Sequence, residues 1–196
     1  MNSHIKILED IIENRRTVKP TEFTGEKIDD SIIEKILNSA NWAPTHGYTE
    51  PWRFSIFAED GLARLGDFYA KLDQPHPDSP DFNSLRFDKL RNRPMACSHV
   101  IGIGMKRGNN PKVPEIEEIA SVAMAVQNIW LSAYAHGVSG YWSTGSLAFR
   151  EEMRDFFGLD EGDKSLGLFY LGKSSSPHPQ GRRLSPIEDK IKWRRS

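Results

Sequence analysis

The chain has 196 residues, 38% hydrophobic and 27% charged, with a formal net charge of −1. That length supports one sizeable core, read here as a single domain over residues 1–196, and the near-neutral balance excludes a general pull towards nucleic acid or anionic membranes. The lone cysteine, Cys97, has no internal disulfide partner, no apolar run approaches the roughly 20 residues of a membrane helix, and no secretory-type apolar stretch opens the chain, so a cytoplasmic protein is expected.

In chain order, Ile5, Leu8, Ile11 and Ile12 fall at helical spacing between Ser3 and Asn14, which predicts an amphipathic helix ending near Arg15 and Arg16. Ile28, Ile32, Ile36 and Ala40 repeat in the same way over residues 27–42, with Pro44 as a stop. The period then changes to two in "WRFSIFA" (52–58), a strand, followed by a helix over 61–72. Residues 74–84 hold three prolines and no periodicity, an exposed loop and a candidate lid, before a helix resumes at Leu85. "CSHVIGIGMK" (97–106) reads as a buried strand and 107–114 as an irregular connector.

From Glu115 to about His136 apolar residues cover so much of the circumference that the helix must be buried on two sides, and its small residues would admit another backbone, a subunit interface included. "VSGYWS" (138–143) is a short strand, 148–158 a helix, and 165–172 the last strand. Strands and helices that do not strictly alternate give an α+β class.

Several chemistries are excluded. Gly102, Gly104 and Gly108 lie inside a strand with no helix start behind them, so they are packing glycines rather than a dinucleotide turn. The six histidines, His4, His46, His76, His99, His136 and His178, fit no metal-ligand spacing. Cys97 and His99, two apart, would share a face of a strand, which reads as a buried thiol near a structural histidine. Two basic pairs remain, Arg15–Arg16 followed by Thr17, and Arg182–Arg183. With the aromatic-rich connector 41–54 and "GYWSTG" (140–145) they form a set suited to a planar, phosphorylated ligand.

The ordered series "RRT", "APTHGYTEPWRF", a long Ala-rich helix ending in "GVSGYWSTG", "LGLFYLG" and a basic segment before "PIED" resembles the FMN-dependent nitroreductase family, in its short, single-domain bacterial form. The resemblance implies a nitroreductase-like fold with a central, mainly antiparallel sheet flanked by helices, an intertwined homodimer, and two FMN molecules at its interface. Arg15, Arg16 and Thr17 would contact the flavin and its phosphate arm from one subunit. Trp42 and His46 would reach it from the other. Tyr141, Trp142, Ser143 and Thr144 would line the ring, and Arg182 or Arg183 would neutralise phosphate. By the resemblance, family members often carry arginine at the positions of Trp42 and Ser143, so that phosphate binding here would rest more heavily on Arg182 and Arg183, or else Trp42 would stack or merely pack.

By the same resemblance the chain would be an NAD(P)H oxidoreductase working by ping-pong hydride transfer, with flavin N5 carrying the chemistry and no catalytic protein side chain required. NADH or NADPH would be the reductant and a nitroaromatic, quinone or similar small molecule the acceptor. Loops 74–84 and 107–114 would shape the pocket. Two rival readings are a dehalogenase or oxygen-using, flavin-degrading activity on the same fold, and a nucleic-acid module built on the basic tail "KIKWRRS". The second is opposed by the near-neutral charge and the absence of a recognition motif.

Overall fold

The computed structural model describes residues 3–175 and 180–195; His178 lies outside them. Four strands, β1 (Trp52–Phe57), β2 (His99–Met105), β3 (Ser139–Ser143) and β4 (Lys164–Gly172), form one antiparallel sheet in the order β1-β2-β4-β3. Among the described residues six α-helices accompany it: α1 (Ser3–Asn14), α2 (Asp30–Ala40), α3 (Asp60–Asp73), α4 (Ser84–Asn92), α5 (Glu115–Ala135) and α6 (Glu151–Phe156). The α+β class and antiparallel sheet follow the sequence expectation.

Strand alternation divides the core into two. Ile101, Ile103, Met105, Phe169 and Leu171 face α2 and α5, while Val100, Leu168 and Tyr170 face the layer of α3, α4 and α6. Gly102 and Gly104 are packing glycines: an added Cβ would lie 2.6 Å from Phe157 and 2.7 Å from Leu159, both just beyond α6. The loop expected at 107–114 is tied down by Arg107 and Glu118, whose carboxylate is fully buried.

Three sequence expectations need correction. The helix proposed for 27–42 begins only at Asp30, because Asp29 takes the N-cap role and accepts from Ser31 N–H at 2.8 Å. Ile28, before the cap, and Ile33, in the first turn, join one apolar cluster, the arrangement of a hydrophobic staple. The segment 148–158 is not one helix: extended Arg150 (φ −72°, ψ 150°) separates a 3₁₀ turn, Ser146–Phe149, from α6.

Cys97 and His99 do not share a face, since Cys97 lies outside β2, capping the 3₁₀ turn Pro94–Ala96 that precedes it. Its thiol points into the α3 side, where burial pushes its pKa up to about 12, whereas His99 Nε2 lies 3.0 Å from Asp30 of α2. Within a single chain α5 is buried on one side, which leaves the second side expected from its sequence for a subunit interface. Val122, Ala125, Val126 and Ile129 are inaccessible, but Ile116, Ala120 and Met124 are exposed along a second stripe. Helix α1 likewise buries no residue completely.

Candidate flavin site

The residues after α1 are placed by the free edge of β3. Thr17 bridges to Gly140 in parallel register, and Val18 N–H donates to the Gly140 carbonyl at 3.1 Å. Only glycine fits there: a Cβ on Gly140 would sit 2.7 Å from Phe169 and 3.3 Å from Trp130 Nε1. Immediately before this bridge, the Arg15 guanidinium lies over the Trp130 ring, 4.1 Å from its centroid. Its Nε and Nη1 atoms are buried with no hydrogen-bond acceptor. Burial first, then the charges of Arg16 and Arg183, hold the Arg15 pKa below its ordinary value.

Arg16 donates through Nη1 to the carbonyls of Glu13 and Arg15. Its guanidinium packs so tightly against Gly181 that a side chain at 181 would overlap it. Arg16, Arg182 and Arg183 line one cavity of about 440 Å³ with Glu13, Asn14, Gln180 and Gly181. Arg16 and the Arg182–Arg183 pair, remote in sequence, thus line one cavity with a single carboxylate, Glu13.

Alternation along β3 separates the expected ring contacts. Tyr141 faces the α3 side, stacked on Tyr170 with centroids 5.9 Å apart, and opens onto a second cavity of about 510 Å³. Trp142 turns into the opposite core, where its indole N–H donates to the Leu166 carbonyl at 3.1 Å. Ser143 is buried beside Gly167, whose φ of +116° allows its backbone to approach the Ser143 carbonyl, and Thr144 is exposed.

The Tyr141 cavity is also lined by Lys19, Thr21, Lys89, Asn92 and Arg93, three cations and no carboxylate. Sequence reasoning missed these basic residues. Lys89 and Arg93 are one helical turn apart, a visible signal, but nothing in sequence places that turn beside β3. The irregular segments 74–84 and 107–114 line neither this cavity nor the arginine cavity.

Trp42 and His46 lie elsewhere in the chain. Trp42 is 81% exposed and borders a shallow groove with Leu8, Ile11, Leu131 and Ala135. His46 Nδ1 lies 2.5 Å from Glu117 at the start of α5, both side chains about half exposed. Glu117 and Trp130 are separated by roughly 20 Å of helix at 1.5 Å per residue, so within one subunit His46 is far from Arg15. The path between Trp42 and β1 is set by left-handed backbone at Gly47 (φ 60°), Tyr48 (φ 55°) and Glu50 (φ 41°) as well as by prolines.

The model of the family described as the nitroreductase family matches residues 12–173. The chain belongs to this family. One nitroreductase-family relative is YdjA of Escherichia coli K12, which carries a provisional NAD(P)H nitroreductase designation. It is 33% identical over 149 residues, covering 76% of each chain. Among solved structures, a nitroreductase-like family protein from Bacillus cereus superposes with a TM-score of 0.84 at 23% identity over 100% of both chains. The FMN-dependent nitroreductase NfnB from Mycobacterium smegmatis, in complex with NADPH, gives 0.76 at 15% identity, over 98% of this chain and 100% of that one. These likenesses establish the nitroreductase-like fold.

The donor set of this family member fits a phosphorylated flavin on chemical grounds. Buried guanidinium N–H donors without an acceptor, here Nε and Nη1 of Arg15, are costly, and an anionic phosphate is the group that would relieve both the missing bonds and the repulsion among Arg15, Arg16 and Arg183. Among the described residues, no group of three or more His, Cys, Asp or Glu side chains is placed to hold a metal ion.

Proposed function

We propose that the protein is an FMN-dependent NAD(P)H oxidoreductase that reduces nitroaromatic, quinone or similar acceptors, with residues 1–196 as one FMN-binding domain. The observation that carries this reading is the half-buried Arg15, whose Nε and Nη1 are buried without acceptors and feel the charges of Arg16 and Arg183, next to the cavity lined by Arg16, Arg182 and Arg183 and a short segment away from a second cationic cavity. In this arrangement the arginines and Thr17 hold the phosphate arm. Tyr141 offers an aromatic wall, and Lys19, Lys89 and Arg93 stabilise negative charge at the ring edge. Bound FMN supplies hydride uptake from NAD(P)H and delivery to the acceptor, in ping-pong order.

The working unit in this reading is a homodimer. The exposed stripe Ile116, Ala120, Met124 on α5 and the uncovered α1 leave an apolar face that a second copy would bury. Two α5 helices packed antiparallel about a twofold axis bring the His46 end of one beside the Arg15 end of the other. That geometry accounts for residues of one site lying about 20 Å apart in each chain.

Purified protein should be yellow and release FMN on denaturation. Arg15→Ala combined with Arg183→Ala should weaken FMN binding by about 3 kcal/mol, roughly a hundredfold. Colourless protein that cannot be reconstituted with FMN overturns the proposal. So does reduced enzyme that, in anaerobic stopped-flow mixing, reacts with oxygen but with no nitroaromatic or quinone.

A further inference from the structure

We propose that Trp130 is a positioning residue for phosphate recognition: its ring face on α5 holds the Arg15 guanidinium beside Arg16, which lines the arginine cavity, so that the site selects a phosphorylated flavin over the unphosphorylated one. This rests on the FMN reading above. Arg15 has a long, flexible side chain, and an arginine repelled by Arg16 and Arg183 would swing into solvent unless something held it. The structure supplies one holding contact, the Trp130 ring 4.1 Å beneath the guanidinium carbon.

Stacking engages the faces of the guanidinium and leaves its N–H edge unused. The Nε and Nη1 donors accordingly remain buried and without acceptors. Trp130 is itself fixed from below by an edge-on contact with Phe169, centroids 5.2 Å apart at 90°, and from the side by Gly140. The same glycine carries the Thr17 bridge, so the Trp130 platform and the Arg15–Thr17 backbone share one anchor. A leucine at 130 would fill part of the space but give the guanidinium no aromatic face. A phenylalanine would keep the face and lose only the indole N–H.

The test compares FMN and riboflavin binding by flavin fluorescence titration of the full-length protein, with sedimentation as a check on assembly. Trp130→Leu should weaken FMN binding about tenfold, the scale of a partly buried cation–π contact, and leave riboflavin binding within about twofold. Trp130→Phe should stay within about twofold of wild type for both ligands. If Trp130→Leu does not fold, Arg15→Lys serves instead. It keeps the charge but loses the planar stack, and should lower the FMN-to-riboflavin preference by a similar factor.

Equal weakening of FMN and riboflavin, or an unchanged preference in Trp130→Leu or Arg15→Lys, overturns the positioning role while leaving the flavin reading intact. Wild-type protein that binds neither flavin overturns both.

Discussion

Adjacent glutamates on α5 should differ sharply in what they contribute. The Glu118 carboxylate is fully buried. It accepts from Gly108 N–H at 2.9 Å and pairs with Arg107 Nη1 at 2.5 Å, while Arg107 Nη2 donates to the Val113 carbonyl at 2.7 Å. Glu118→Ala leaves the partly buried Arg107 guanidinium with the Val113 carbonyl alone and the Gly108 N–H without its acceptor. Breaking a buried pair in this way costs about 3–5 kcal/mol. At about 2–4 °C per kcal/mol for a chain of this size, the melting temperature should fall by roughly 6–20 °C.

Glu117→Ala removes only the half-exposed contact with His46 and should cost under about 1 kcal/mol. The loss at Glu118 should also spread. Gly108 packs on Thr49, and Gly47 on Asn110 and Val113, so amide hydrogen exchange in residues 45–49 should accelerate in Glu118→Ala alone. Thermal and denaturant unfolding at fixed subunit concentration reads the difference. Equal losses for the two variants, or less than about 1 kcal/mol at Glu118, would refute the reasoning.

Gly140→Ala should destabilise the protein by about 1–3 kcal/mol through overpacking against Phe169 and Trp130, measured by denaturant titration; a neutral effect would mean that this contact relaxes freely. Arg86 forks onto Asp73 with two bonds of 2.6 Å, and this hydrogen bonding holds the Asp73 pKa below its ordinary value. The contribution is therefore complete above the unfolded carboxyl pKa of about 4 and is lost as pH falls through the lower folded value. Asp73→Asn should flatten that acid limb in unfolding midpoints measured against pH, and parallel profiles for variant and wild type would contradict the assignment.

Most elements were legible because periodicity reports burial directly. The alternation of Trp52, Phe54 and Ile56, and the broad apolar sweep of α5, depend only on local spacing. The arginine pairs could be marked for the same reason, as two dense local charges. Trp142 was misread although a local rule was available: neighbours on a strand point to opposite faces, so Tyr141 and Trp142 cannot both line one side. Lys19, Lys89 and Arg93 were beyond reach, because α4 meets the Lys19–Thr21 segment and Tyr141 only through the packing of the α3 side against β3. Trp130 read as one more apolar residue of α5 until the fold set Arg15 upon it.

The bridge between Thr17 and Gly140 also fixes an order of events during synthesis. At about 5–20 residues per second, the arm carrying Arg15, Arg16 and Lys19 waits on the order of ten seconds before the strand that receives it has been made. Through that interval Arg15, Arg16 and Lys19 lack the β3 edge against which their segment docks. A supply of cofactor can therefore rescue a weakened variant only late, after β3 has emerged, whereas anything that shields an amphipathic cationic arm acts from the first moments of its life.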